Sequence, residues 1–534
     1  MKNSKKLAKF SLPVKISVCL LLIFLVIYPI GKMFSSMSAG DFSEVFKSQQ
    51  FPTALKNSLI LSGIATLIVI ILSYLLAFFM VRFDIKIRRI LNLLVVLPML
   101  IPSISHGMGL IILFGGNGII KNLLGFTNSI YGPIGIVTGS VLYAFPVAYI
   151  MFSDVLKYED MSVYEAADIL GISKIRQFFR ITLPYMKRPI IAAAFSTFSM
   201  IITDYGVPLM IGGKTKTLSL MMYEDVIGQL KFSKGAVYGT VLLIPAIVAF
   251  VTDIINKERG SSTYVHKSVN QKRHVWTNIL ATLFCVAVAI FAILPIISFI
   301  ILAFAKSYPR DMGFTLKNVT NTLKRGGDDY LINSILMATL TALFGTILSY
   351  ITAYLTSRMK SVTSRIIHLL SLTFMAIPGI VLGLSYATTF SQSVIYGTMF
   401  ILVMVNIAHF MSSPYLMMYN TFGKMNENLE AVGDTLGIGR VRMIKDVFLP
   451  QTVGTVAEMF SYLFVNCMMT ISAVSFLANM NTRPISLMIN QFEAQSQYEC
   501  AAVVSIFILA VNILMKLLVG GVKIVIASKR RKAV

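Results

Sequence analysis

Long apolar runs recur along the chain, each bounded by short polar stretches and each about the length a helix needs to cross hydrocarbon, roughly 20 residues. Inside a bilayer a helix satisfies its own backbone groups whereas an isolated strand does not, so the runs predict spanning helices. Twelve are counted, centred on roughly residues 25, 68, 103, 145, 200, 245, 290, 345, 375, 408, 465 and 510. The expected fold class is an all-α integral membrane protein of about 12 transmembrane helices.

The pattern also repeats. NSLILSGIATLIVIILSYLLAFFMVRF from Asn57 aligns with NSILMATLTALFGTILSYITAYLTSRM from Asn333, closing on Arg82 and Arg358 at a constant offset of 276. The same offset sets Pro102 against Pro378 in the next span, where either proline is expected to break the helix and free carbonyls near a pathway. Further on, DILGISKIRQFFRITLP from Asp168 matches DTLGIGRVRMIKDVFLP from Asp434 at offset 266, and LSLM at Leu218 matches ISLM at Ile485 at offset 267. The chain is read as two tandem six-helix units, 1–256 and 275–534, joined by a polar linker at 257–274. An even number of spans per unit gives both the same orientation, related by a pseudo-twofold along the membrane normal with a pathway between them.

Between the fourth and fifth spans of each unit the apolar pattern gives way to a polar stretch, EAADILGISKIRQFFRITLP in the first. Ser162 and Glu165 have the spacing of a capping box, and Gly171 suits the left-handed conformation that ends a helix. Ser173 is placed to cap a second helix running to Thr182, after which Pro184 returns the chain to the membrane. The second unit repeats the plan with Asn428 as cap, Gly437 as terminator and Pro450 at the return. Ala431 stands opposite Glu165, and the nearest acid, Glu430, is one position early, so the reciprocal cap is lost there. A helix this short is marginal in water and persists only when packed.

These residues resemble the EAA signature of binding-protein-dependent ABC importer permeases, E-A-A-x-x-L-G followed by a return ending in L-P. The first unit carries it as Glu165, Ala166, Ala167, Leu170, Gly171, Leu183 and Pro184; the second keeps Leu436, Gly437, Leu449 and Pro450 but reads AVG in place of EAA. The resemblance implies two ABC type I importer (MetI-like) units in a bacterial inner membrane. It makes the short helix a coupling helix docked on an ABC ATPase, and it implies two such ATPase subunits in the cytoplasm and an external solute-binding protein as partners. The chain itself would bind no cofactor, ATP and Mg being used by the ATPases. Among fused permeases the run TDYGVPLMIGG from Thr203 looks most like the 2-aminoethylphosphonate group; ferric iron, thiamine and polyamine importers are the alternatives.

Composition agrees with the bilayer and adds the orientation. The chain has 534 residues, 56% hydrophobic and 13% charged, against roughly 25% charged in a soluble domain. Segments on the side of the termini, including 157–188 and 424–452, hold 33 of the 47 Lys and Arg, which makes both termini cytoplasmic. The net charge of +24 therefore calls for no nucleic-acid partner. Cys19, Cys285, Cys467 and Cys500 are scattered singly without metal-ligand spacing, so no metal site is expected. The Lys-rich start precedes an apolar run too long for a signal peptide and is kept as a span.

No ATPase site of its own is expected, and hence no enzymatic activity. The near match to a phosphate loop, PLMIGGKT from Pro208, has proline where the first glycine must stand, and it falls on the outer side. Polar residues in or near apolar runs are the remaining candidates, since burying them in lipid is costly. Asp204, Glu458 and Asn466 are candidates for the translocation pathway, with a cavity-facing or a structural role equally open for the two carboxylates; His106 and His409 read as packing or interfacial residues. A rival reading is an ion-coupled 12-span secondary transporter using Asp204 or Glu458, although the loop RFDIKIRR lacks the glycines of the major-facilitator signature. An intramembrane enzyme ranks last, for want of a convergent pair such as H-E-x-x-H.

Overall fold

The computed structural model describes residues 2–125, 129–257 and 275–532, so the linker expected at 257–274 lies outside the described residues except for Lys257. Among those residues the strands are Ala305–Ser307 and Asp311–Phe314, an antiparallel hairpin; the other regular elements are helical. The protein is an all-α membrane protein of about 12 spanning helices. Among the described residues eight helices are long and apolar enough to cross a bilayer by themselves: Leu12–Ser35, Gln50–Arg82, Ser103–Leu124, Pro133–Lys157, Phe232–Thr252, Val275–Ala303, Lys317–Ser357 and Tyr498–Ile526. Two bent pairs, Val362–Ala376 with Gly379–Phe390 and Met399–Phe410 with Ser412–Gly423, raise this to ten. The other two expected positions hold Leu183–Ile202 and Leu449–Met469, helices of 20 and 21 residues. Both open on polar residues of the preceding loop, Lys187 and Arg188 or Gln451 and Thr452, which lowers their apolar character.

The third span breaks at the aligned prolines in both halves. A residue before proline is driven towards extended backbone, and Ile101 (φ −123°, ψ 150°) and Ile377 (φ −104°, ψ 115°) are extended. The chain restarts as helix at Ser103 and Gly379, and in the second half the two pieces meet at 105°. The Pro102 carbonyl, at the head of the restarted helix, accepts the Ser105 amide at 3.0 Å and lies 3.3 Å from Nδ1 of the buried His106.

The internal repeat has a physical counterpart. Asn57 donates its side-chain amide to the Lys216 carbonyl at 3.0 Å, and Asn333 does the same to Asn481 at 2.9 Å. The next residue in each half, Ser58 or Ser334, accepts the backbone amide of Leu218 or Ile485 at 2.7 and 2.8 Å. One position on, Ser219 and Ser486 donate to the carbonyls of Asp204 and Thr470 at 2.8 and 2.6 Å. The repeated Asn-Ser at the head of the second span and the repeated LSLM/ISLM segment are thus two sides of one staple.

By packing, the chain divides into one body of 43–228 and 241–318 and another of 1–42, 229–240 and 319–534. Each body contains the first span of the other half of the sequence. In the second body, the Tyr386 hydroxyl donates to the Leu25 carbonyl at 2.7 Å, while Lys15 Nζ donates to the Met359 carbonyl at 2.7 Å and to Ser361 Oγ at 3.0 Å. In the first, Val275–Ala303 lies against Ser103–Phe114, and a Cβ on Gly109 would fall 2.5 Å from Pro295 Cβ. A small residue is what lets two helices approach this closely where no water drives them together. Packing thus sorts the first spans of the two sequence halves crosswise.

Ser58 and Ser334 each satisfy a buried amide. Replacing either by alanine leaves that donor unpaired, a loss of about 1–3 kcal/mol. Thermal unfolding in detergent is therefore expected to move down for Ser58→Ala and for Ser334→Ala, and to stay put for alanine at the exposed Ser35.

Candidate functional site

The polar loop between the fourth and fifth spans folds in both halves as a short helix, a glycine turn and a second helical segment. The first helix is Ser162–Ile169 in one half and Leu429–Thr435 in the other. Their starts differ from expectation. Ser162 is a helical residue, not a cap; the Asp160 carboxylate accepts its amide at 2.9 Å, and Glu165 points out, exposed. Asn428 does hold the cap position, yet its side chain makes no capping bond; Asn426 Oδ1 accepts its backbone amide at 2.9 Å. A polar side chain two residues upstream closes a turn on the same donor that a capping box would have served. Loss of the acid at Ala431 therefore removes no cap.

The terminators behave as expected. Gly171 and Gly437 are left-handed, with φ of +68° and +70°. Ile172 donates to the Ala167 carbonyl at 2.9 Å and Gly171 to Asp168 at 3.0 Å; Ile438 and Gly437 bond Gly433 and Asp434 at 2.8 and 3.3 Å. This pairing satisfies the last carbonyls of a helix that ends in glycine. Across the turn, Lys174 bridges Asp168 at 2.5 Å and Arg440 bridges Asp434 at 2.7 Å. The Lys174 ammonium, then the Gln177 amide, hold the Asp168 carboxyl below the usual carboxylate range. That contact is complete above the ordinary carboxylate pKa and is lost only as pH falls through the depressed value, so it is constant across neutral pH.

The AVG departure has a packing cause. Gly433 stands at the position of Ala167, and a Cβ there would lie 2.3 Å from Met443 Sδ. Met443 in turn stands at the position of Gln177, which in the first half bonds Asp168 at 2.6 Å and the Ile172 carbonyl at 2.8 Å. A larger apolar side chain has entered from the second segment, and the alanine has shrunk to make room.

Neither Pro184 nor Pro450 turns the chain. Lys174–Gln177 continues through a π-helical turn, Phe178–Thr182, into Leu183–Ile202, and Arg440–Met443 continues through Ile444–Phe448 into Leu449–Met469. Proline lacks an amide and crowds the carbonyl four residues back. The wide turn falls on that carbonyl's neighbourhood in both halves, so the helix passes the proline instead of ending. Wide turns of this kind are common at functional sites.

Two features were missed in sequence. One is a buried arginine beside each short helix. Arg82 bonds Glu159 at 2.5 Å and lies with its guanidinium 4.7 Å from the centre of the Tyr164 ring; Tyr164 also donates to Glu159. Arg358 bonds Glu430 at 2.5 and 2.7 Å and reaches the carbonyls of Phe422, Met425 and Asn426. The Glu430 carboxylate raises the Arg358 pKa, and burial raises that of Tyr164. The signal was present in the matching Arg82 and Arg358 and in the displaced acid Glu430. The other is the exposed apolar tip: Ile169, Leu170 and Ile175 are 87, 75 and 75% exposed, and Leu436 and Val441 are 68 and 77%. Ala166 is exposed and Ala167 faces inward.

The intramembrane candidates separate. Asp204 accepts from Ser103 Oγ at 2.6 Å and from the Val207 amide at 2.9 Å, opening the short helix Gly206–Ile211 beside a cavity of about 10 Å³, the room of one water. Glu458 is half exposed and paired with Lys523. Asn466 bonds the Tyr462 carbonyl in its own helix at 2.8 Å. Pro102 and Pro378 are buried at the helix breaks. The structure brings Pro102, Ser103 and Asp204 together. In PLMIGGKT, the segment after Gly206–Ile211 is a turn led by a helix, whereas a phosphate loop follows a strand.

Residues 69–257 and 345–523, more than half of the chain, match the family described as "Binding-protein-dependent transport system inner membrane component". The chain belongs to this family. It is a fused, two-unit ABC importer permease, a multi-pass transport component, and the ion-coupled carrier is set aside. The permease is 24% identical to the ferric transport system permease protein FbpB of Actinobacillus pleuropneumoniae, over 97% of this chain and 79% of that protein. It is 24% identical to the Fe(3+)-transport system permease protein FbpB 2 of Haemophilus influenzae, over 84% and 85%. The molybdate/tungstate permease WtpB of Methanocaldococcus jannaschii is 29% identical over 45% of this chain and 94% of its own. Among solved structures, a chain of a bacterial ABC transporter importing the acidic polysaccharide alginate is 19% identical, with a TM-score of 0.38, covering 49% of this chain and 98% of its own.

The two glycine turns have the same backbone and the same open surroundings, since a Cβ on either meets nothing within 4 Å. Valine at Gly171 or Gly437 is expected to cost the same, about 1–2 kcal/mol or more, and to speed amide exchange equally across 169–173 and 435–439. The acid missing at Ala431 makes no difference to this comparison, since neither turn uses it. Glu165→Gln is expected to leave exchange in Ser162–Ile169 unchanged.

Proposed function

We propose that this permease forms the translocation pathway of an ATP-driven importer for ferric iron, its two short helices being docked on ABC ATPase subunits. The observation that carries the docking is the repeated exposed tip, Leu170 and Leu436 beside left-handed glycines, on helices too short to stand in water unaided. An apolar knob on a rigid, charged loop suits a cytoplasmic groove in a partner protein. The concentration of Lys and Arg in the same segments puts these loops and both termini in the cytoplasm of a bacterial inner membrane.

With both membrane units in one chain, the complex is one permease, two ATPase subunits that use ATP and Mg, and an external binding protein that delivers solute. Closure of the ATPases draws the coupling helices together and alternates access to the pathway. No cofactor belongs to the permease. Pro102 with Asp204 in one half and Pro378 in the other shape the broken helices, Asn466 is a pathway residue on the unbroken Leu449–Met469, and Glu458, already paired with Lys523, acts as a structural charge.

The substrate reading rests on the ferric permeases that span nearly the whole chain. Phosphonate, suggested by TDYGVPLMIGG, is named by none of the relatives reported above and becomes the second reading. Proteoliposomes carrying the permease, its ATPases and its binding protein decide between them. ATP-dependent entry of radioactive iron, and none of 2-aminoethylphosphonate, is expected; the reverse overturns the substrate. Leu170→Asp and Leu436→Asp are each expected to reduce ATPase co-purification and uptake at least about tenfold, with membrane insertion unchanged. Full retention of the ATPase by both variants would refute the docking.

A further inference from the structure

We propose that Arg82 and Arg358 are positioning residues that fasten each coupling helix to the end of its second span, and that the two halves hold interchangeable versions of this clamp built from different residues. The geometry stands by itself; the consequence for transport rests on the coupling reading above.

Arg82 and Arg358 occupy the same place in the repeat, and their side chains are 7 and 5% exposed. A guanidinium so far from water needs a carboxylate beside it. Each has one, but the two acids are not equivalent. At the offset of 266 that aligns the loops, Glu430 stands at Tyr164, and the position of Glu159 is taken by Met425. The aromatic ring has moved as well. Tyr164 lies under Arg82 and bonds Thr182 at 2.8 Å, whereas the ring near Arg358, 5.5 Å away, is Phe448, which stands at Thr182. Positions 159, 164 and 182 read Glu, Tyr, Thr in one half, and their counterparts read Met, Glu, Phe in the other. Both sets supply one carboxylate and one ring to an arginine at the same point.

The mechanical consequence follows from what each short helix otherwise touches. Its chain connects it to the fourth and fifth spans only, and it turns inward chiefly Tyr164 and Ala167, or Gly433. The arginine ties it to Gln50–Arg82 or to Asp328–Ser357 as well. A push on the tip is therefore delivered to the second span too, and the loop cannot swing on its glycine without breaking a buried ion pair.

The test transplants one half into the other, using the full chain in nanodiscs and in the assembled importer. Glu159→Met is expected to speed amide exchange over 160–172 at least about tenfold and to cut ATP-dependent uptake by a similar factor. Glu159→Met/Tyr164→Glu/Thr182→Phe is expected to return both to within about threefold of the original. If the triple variant inserts and folds but exchanges as fast as Glu159→Met, or if Glu159→Met exchanges like the original, the clamp is wrong. If Glu159→Met does not fold, a triple variant that folds and exchanges slowly still supports the clamp, and one that does not fold overturns it. Exchange reads the clamp without any ATPase. Restored exchange together with uptake that is indifferent to both variants upholds the clamp and sinks the coupling reading instead.

Discussion

A helix of seven or eight residues has too few internal hydrogen bonds to hold its shape in water, and the rest of the arrangement outside the bilayer answers that constraint. Each short helix is ended by a glycine turn that satisfies its last carbonyls, bridged across the turn by an acid and a base, and backed by a buried arginine. What remains exposed is an apolar tip. Supports of this kind fix where the tip is without covering it.

A second constraint acts inside the apolar region, where every backbone group needs a partner. The proline breaks at Pro102 and Pro378 leave polar backbone at membrane depth; His106 lies beside the Pro102 carbonyl, and the Leu382 amide bonds that of Pro378. The Asn-Ser staples do the same for the segments at Leu218 and Ile485. In the first half Asp204 adds a carboxylate to this set, where the second half has Thr470. Its oxygens are occupied by Ser103 and Val207, which fits a residue that shapes the start of a helix.

The duplicated halves have drifted in a compensated way. Ala167 with Gln177 in one half corresponds to Gly433 with Met443 in the other, and the acid of the arginine pair lies in the entry loop in one and on the helix itself in the other. Compared letter by letter, the second loop looks degenerate. Compared by position, it preserves the turn, the bridge and the buried pair, because selection on packed volume and paired charge leaves the identity of each partner free.

Much was decided by the sequence alone. Apolar runs of spanning length, an offset held over hundreds of residues and the L-G and L-P landmarks defined the fold class, the duplication and the family, since these depend on local hydrophobicity and spacing. Left-handed glycine at 171 and 437 was legible for the same reason: only a local steric rule is involved. Tertiary structure decided the rest. That Asp160 and not Ser162 closes the first turn, that a π turn lets the helix run past Pro184, that first spans pack with the opposite half, and that Arg82 finds Glu159 while Arg358 finds Glu430 all depend on which distant groups arrive at one place, and spacing along a chain does not encode that arrival.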